Sequence, residues 1–186
     1  MSQPVPETLY HGTIFRIDRI DVSKGRNNKD FGRGFYMAMS RSQAIGMMHK
    51  KYRESMIRRG NGGEQSPFSE RLYKIEIDAE AANSLNVRYF EQADMEWLDF
   101  ILKCRERGGT PHDYDLVIGP TADDNTLLCL RTYWQEFYGE VGSCEAKEIL
   151  LRNLEPENLG RQCFIGKQDI ADRVIKGFEE IDWGRL

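Results

Sequence analysis

The chain has 186 residues, 40% of them hydrophobic and 30% charged, with a formal net charge of −4. That length and balance suit one globular domain with a sizeable core and argue against a disordered chain. The negative charge gives no global attraction for nucleic acid or an anionic membrane, and no stretch reaches the roughly 18–20 apolar residues of a membrane span.

Met1 to Leu9 lack a basic cluster followed by an apolar run, so neither secretion nor membrane insertion is expected. Leu9 to Gly12 reads as a short strand ending in a glycine turn. Asp21 to Asp30 is a polar loop, and Phe31 to Met39, F-G-R-G-F-Y-M-A-M, runs from two glycines into a buried strand. Ser40 can cap a helix over 41–57, where Ala44, Ile45, Met47, Met48, Tyr52 and Met56 recur at three- and four-residue steps and make a packing face. A loop is expected from Gly60 to Ser69, then a half-buried strand in L-Y-K-I-E-I, with Leu72, Ile75 and Ile77 inward.

A second helix is predicted at about Gln92 to Arg107, with Trp97, Leu98, Ile101 and Leu102 as its buried stripe and Gly108 and Gly109 ending it. Tyr114 to Gly119, Y-D-L-V-I-G, is the clearest buried strand. Thr126 to Tyr138 suits an amphipathic helix, and a shorter one opens at Ser143 or Glu145 and runs through Leu151. Gln162 to Ile165 reads as a strand and Asp169 to Phe178 as a helix. The order mixes α and β without the strict alternation of a doubly wound sheet.

Several chemistries lack their required patterns. The cysteines, Cys104, Cys129, Cys144 and Cys163, form no C-x-x-C pair, and no cysteine stands at ligand spacing to His11, His49 or His112, so reduced thiols in a cytoplasm are expected and no metal site is. G-R-G-F lacks the lysine of a phosphate-binding loop, and its glycines lead into a strand instead of opening a helix, which argues against nucleotide hydrolysis and hydride transfer. The basic stretch of His49, Lys50, Lys51, Arg53, Arg58 and Arg59 reads either as a track for a phosphate backbone or as the solvated face of a helix.

Three segments carry the remaining chemistry: L-Y-H-G-T at Leu9–Thr13, D-F-G-R-G-F-Y at Asp30–Tyr36, and R-Q-C-F at Arg161–Phe164. Each alone has an ordinary structural reading. Together and in this order they resemble the His-Tyr-Glu class of ADP-ribosyltransferases, and more closely a bacterial branch of that superfamily with glutamine at the third position. The similarity continues through W-L-D-F at Trp97–Phe100 and Y-D-L-V-I-G-P-T-A-D-D at Tyr114–Asp124, and spans Leu9 to about Phe178.

The resemblance implies an α+β fold in which two short antiparallel sheets form a cleft for NAD as co-substrate. It gives His11 the adenosine ribose, where an imidazole offers one donor and one acceptor to a vicinal diol. Gly12, lacking a Cβ, lets its backbone approach the nicotinamide carboxamide, and Thr13 adds a hydroxyl. Tyr36 stacks on the cationic nicotinamide ring, a contact of roughly 0.5–2 kcal/mol, while Phe35 turns to the opposite face of the strand. Gln162 holds a ribose hydroxyl through its carbonyl oxygen, but a neutral amide is no general base. Asp123 and Asp124 are the candidates for the missing carboxylate, or else solvated caps where Asn125 and Thr126 start a helix. Arg33 reads as a partner of the NAD phosphates or as a loop arginine. Cys163 is expected to point away from the cleft.

The activity so implied is mono-ADP-ribosyl transfer to a protein or nucleic-acid acceptor, in a bacterial toxin or phage-defence effector with a neutralising antitoxin partner. The alternatives are an NAD glycohydrolase and a module that binds NAD, ADP-ribose or RNA without catalysis.

Overall fold

The computed structural model describes residues 5–59, 68–121, 124–154 and 159–184. Seven strands form one mixed sheet in the order β4-β5-β6-β2-β1-β3-β7, where β1 is Thr8–Thr13, β2 Phe35–Ala38, β3 Arg71–Ile77, β4 Val87–Tyr89, β5 Leu116–Pro120, β6 Arg161–Ile165 and β7 Ile175–Ile181. All ladders are antiparallel except β4 with β5. The helices are α1 (Arg41–Arg59), α2 (Ala79–Asn83), α3 (Met95–Arg107), α4 (Asp124–Trp134), α5 (Cys144–Asn153) and α6 (Gln168–Val174).

The fold is α+β as expected, but the two expected sheets are hydrogen-bonded halves of one. Their join is slight. β1 meets β2 at a single residue pair, Tyr10 with Ala38, whereas β1 and β3 share six pairs and β2 and β6 share four. Side-chain alternation then sorts the core. On one face a continuous cluster, including Leu9, Phe35, Met37, Ile75, Ile118, Cys163 and Ile165, underlies both halves and is closed by α2 and α6. On the other face there are two clusters. Val117 and Phe164 pack with Trp97, Ile101, Tyr133 and Leu150 of α3, α4 and α5, while Ala38 and Leu72 pack with Ala44 and Met48 of α1.

The capping chemistry is as the sequence indicates. Ser40 Oγ accepts from the Gln43 amide to open α1, and Ser143 Oγ accepts from Ala146 to open α5. Several boundaries differ: β1 runs through Gly12 to Thr13 in the β3 ladder instead of turning at the glycine, and β2 is confined to Phe35–Ala38. α3 begins at Met95 because Asp94 caps it, accepting from the Trp97 amide at 3.0 Å. α4 stops at Trp134, and Glu136 comes next but one in the left-handed region with φ of 61°. The helix expected over 169–178 ends at Val174, and Ile175–Ile181 is instead a strand along β3, with a register shift at Glu76/Ile77. Of the loop expected over 60–69, residues 60–67 lie outside the described residues.

Candidate functional site

His11, Tyr36 and Gln162 stand on three neighbouring strands, β1, β2 and β6, around the slight join between the half-sheets. Their side chains do not share one face. Tyr36 and Gln162 alternate with Phe35 and Cys163 and so project with Phe164. His11 leaves β1 on the Phe35 face and stacks on that ring, with centroids 4.7 Å apart. The histidine then crosses the gap: its Nδ1 lies 2.7 Å from the main-chain oxygen of Tyr36. A carbonyl only accepts, so Nδ1 carries the proton and donates, which leaves Nε2 as a bare acceptor. Desolvation and the charge of Lys51 pull the imidazole down to about 3, so the ring is neutral at pH 7.

This shift sets a pH dependence. An unfolded histidine takes a proton near pH 6.5 and the folded His11 only near pH 3, so its contribution is intact above 6.5 and is lost as pH falls toward 3. Within that window the loss is at most about 1.4 kcal/mol per pH unit. His11→Asn, whose amide can still donate to the Tyr36 carbonyl, is expected to show a shallower fall in urea-unfolding stability between about pH 6.5 and 4.5. Parallel curves for the two proteins would refute the assignment.

Gly12 has a structural reason to be glycine. A Cβ there would lie 1.9 Å from the carbonyl oxygen of Ala44, so the residue lets α1 seat on β1. Its own carbonyl accepts from Lys51 Nζ at 2.7 Å. Burial, with Lys29 and Arg26 nearby, pulls that ammonium down to about 8. The basic stretch is thus divided: Lys51 turns in toward β1, His49 bonds Glu70 at 2.6 Å, and Arg53 and Arg58 stay exposed. Thr13 is buried and its hydroxyl accepts from the Phe15 amide at 3.3 Å, tying the end of β1.

The D-F-G-R-G-F-Y segment is a pinned turn. Tyr36 Oη donates to the Gly32 carbonyl at 2.6 Å and accepts from the Phe31 amide at 3.0 Å. Burial and the Asp30 charge hold the phenol well above its ordinary range, so it is a neutral peg with its ring against Phe164, centroids 5.0 Å apart. Gly32, at φ of 95°, lies against Gly109, and the Arg33 amide donates to the Gly109 carbonyl at 2.5 Å. The Arg33 guanidinium donates to the Ser23 carbonyl through both Nε, at 3.0 Å, and Nη2, so it clamps the preceding loop. His112 Nε2 donates to the Phe31 carbonyl at 2.8 Å.

Gln162 is 4% exposed and is flanked across the ladders by Ala38 and Gly119, neither with a bulky side chain. Its Nε2 donates to Asp30 Oδ2 at 3.1 Å, and Asp30 Oδ1 accepts from Arg105 Nε at 2.9 Å and Nη2 at 2.5 Å. No local pattern pairs Asp30 with an arginine 75 positions later. The one local signal is that Asp30 opens a glycine-rich segment. Asp123 lies outside the described residues, and α4 begins at Asp124. Cys163 is buried among Met37 and Ile118, and desolvation pushes its thiol up to about 12, so it is no nucleophile. Two surface hollows of about 400 Å³, one beside Arg19 and Phe178 and one beside Glu7 and Glu76, include none of these residues.

A family model described as "Protein of unknown function (DUF3990)" matches residues 8–175, from the start of β1 to the first residue of β7. The chain belongs to the DUF3990 family. The match encloses His11, Tyr36, Gln162 and the Asp30–Arg105 pair, so the join between the half-sheets and the pinned turn beside it fall within the DUF3990 domain. No curated protein matches the chain. Among the described residues no helix is long and apolar enough to cross a membrane.

Proposed function

We propose that the chain is an ADP-ribosyltransferase that breaks the bond between nicotinamide and ribose in NAD and passes ADP-ribose to a macromolecular acceptor. The observation that carries this reading is the slight join at the centre of the sheet, one residue pair wide, with His11, Tyr36 and Gln162 on the three neighbouring strands at it. A neutral His11 with Nε2 free of a proton suits a ribose hydroxyl. Lys51, with Lys29 and Arg26 close by, supplies positive charge suited to a diphosphate. Tyr36 offers a ring held rigid by its hydroxyl, and the Gln162 carboxamide offers an oxygen to a second hydroxyl.

In the reaction the C–N bond breaks with its electron pair leaving on nicotinamide. A nucleophilic oxygen or nitrogen of the acceptor bonds the ribose carbon and releases its proton. The acceptor in this reading is a protein or a nucleic acid, and a cytoplasmic toxin or phage-defence effector with a neutralising partner is its biological setting. A second reading is a glycohydrolase, in which water takes the place of the macromolecular acceptor; Gln162, a neutral amide, is a general base for neither.

Incubation with NAD labelled in the adenosine portion, together with cell protein, RNA or DNA, tests both. Label is expected on one acceptor class, and His11→Ala and Tyr36→Ala are each expected to abolish it. Free ADP-ribose would select the glycohydrolase. Intact NAD in every mixture would leave a binding module.

A further inference from the structure

None of the roles given to His11, Tyr36 and Gln162 uses Asp30, yet it is a deeply held charge beside Gln162 and Tyr36. The residue is 5% exposed and faces the Arg105 guanidinium with one oxygen and the Gln162 amide nitrogen with the other. Replacing such a buried ion pair with apolar residues is often neutral or stabilising, so the fold alone gives little reason for it. A glutamine carboxamide has two nearly equivalent orientations about its last torsion, one presenting oxygen and one presenting NH₂. A carboxylate only accepts, so the end of Gln162 that meets Asp30 is the NH₂. Oε1 therefore points the other way. It also keeps solvent contact, because among the described residues the only buried side-chain nitrogen or oxygen lacking a partner is His112 Nδ1.

We propose that Asp30, held by Arg105, is a positioning residue that fixes the Gln162 carboxamide with its oxygen outward, making Gln162 an obligate acceptor for a sugar hydroxyl. The ligand class rests on the function proposed above, whereas the orientation does not. In Asp30→Asn, Arg105 still demands an oxygen, so the new NH₂ turns to Gln162 and its carboxamide flips. Adding Gln162→Glu restores an acceptor facing outward, since a carboxylate can accept from the introduced amide with one oxygen and present the other.

The first readout is exchange of the Gln162 side-chain amide protons with water, followed by NMR and assigned by their loss in Gln162→Glu. Exchange is expected to quicken on the order of tenfold in Asp30→Asn, and an unchanged rate overturns the proposal. The second is nicotinamide release from NAD. A loss on the order of tenfold in Asp30→Asn and recovery in Asp30→Asn/Gln162→Glu are expected, whereas a double variant no better than the single would mean a merely structural role. If Asp30→Asn does not fold, Gln162→Glu alone decides: two facing carboxylates cannot both ionise, so its melting temperature should fall relative to the parent as pH rises, and no such fall overturns the contact. A parent protein that releases no nicotinamide removes the function while the amide exchange still judges Asp30.

Discussion

Arg105→Met is expected to lower the unfolding free energy by roughly 3–5 kcal/mol. The two side chains are 11% and 6% exposed, so solvent screens the pair little, and the variant keeps the Asp30 carboxylate buried while removing this guanidinium. For a chain of this size the melting temperature should fall on the order of 10 °C. The same helix end also accepts from Asn28 Nδ2 at the Arg105 carbonyl, and Phe31 packs on Phe100, so the turn at 28–33 loses its ion pair with α3 and keeps these two contacts. The double variant Asp30→Leu/Arg105→Met should recover part of the loss, because neither charge of the pair is then left buried, although the Gln162 amide loses its acceptor. A single variant within about 1 kcal/mol of the parent would show that water reaches the pair.

The second large effect is at Gly12. An alanine Cβ would sit 1.9 Å from the Ala44 oxygen and 2.9 Å from its carbonyl carbon, and these are main-chain atoms of α1 that no rotamer change can move aside. Gly12→Ala should cost about 3 kcal/mol by overpacking, or roughly 6–12 °C in melting temperature. Gly46 is the internal control. It lies on the same helix with nothing within 4 Å of an added Cβ, so Gly46→Ala should stabilise by about 0.5–1 kcal/mol. Equal effects at the two positions would mean that α1 does not seat on β1 as described.

Both results concern contacts invisible to a local reading of the chain. The three- and four-residue spacing in 41–57 and the continuous apolar run L-V-I-G are local signals, and α1 and β5 stand where they indicate, although Met56, expected on the packing face, is exposed. Caps at Ser40 and Ser143 are short-range chemistry and equally legible. β4, three residues long, and α2, five, are too short for a period to emerge. The sequence of β7 reads as a continuation of α6, because no proline or loop-like cluster separates the two. Its strand state comes from the β3 ladder, with Gly177 weakening any helical continuation. At the site, residue types and order point to His11, Tyr36 and Gln162, which the fold gathers on adjacent strands. Lys51 on the Gly12 carbonyl and Asp30 between Arg105 and Gln162 emerge only in three dimensions, with 39, 75 and 132 positions between the partners.

The single Tyr10–Ala38 pair has a structural consequence. At the middle line of the sheet the backbone ladder is thinnest, one residue pair, and side chains carry the rest of the join: the His11 bond to the Tyr36 carbonyl, the His11–Phe35 stack, and Ala38 packed with Leu72 under α1. Beneath that line the hydrophobic cluster of Leu9, Phe35, Met37 and Ile75 is unbroken, while above it the clusters under α1 and under α3 are separate. The molecule is therefore built like a book bound along one side. The continuous cluster is the binding, and the two separate clusters lie under the covers formed by α1 and α3.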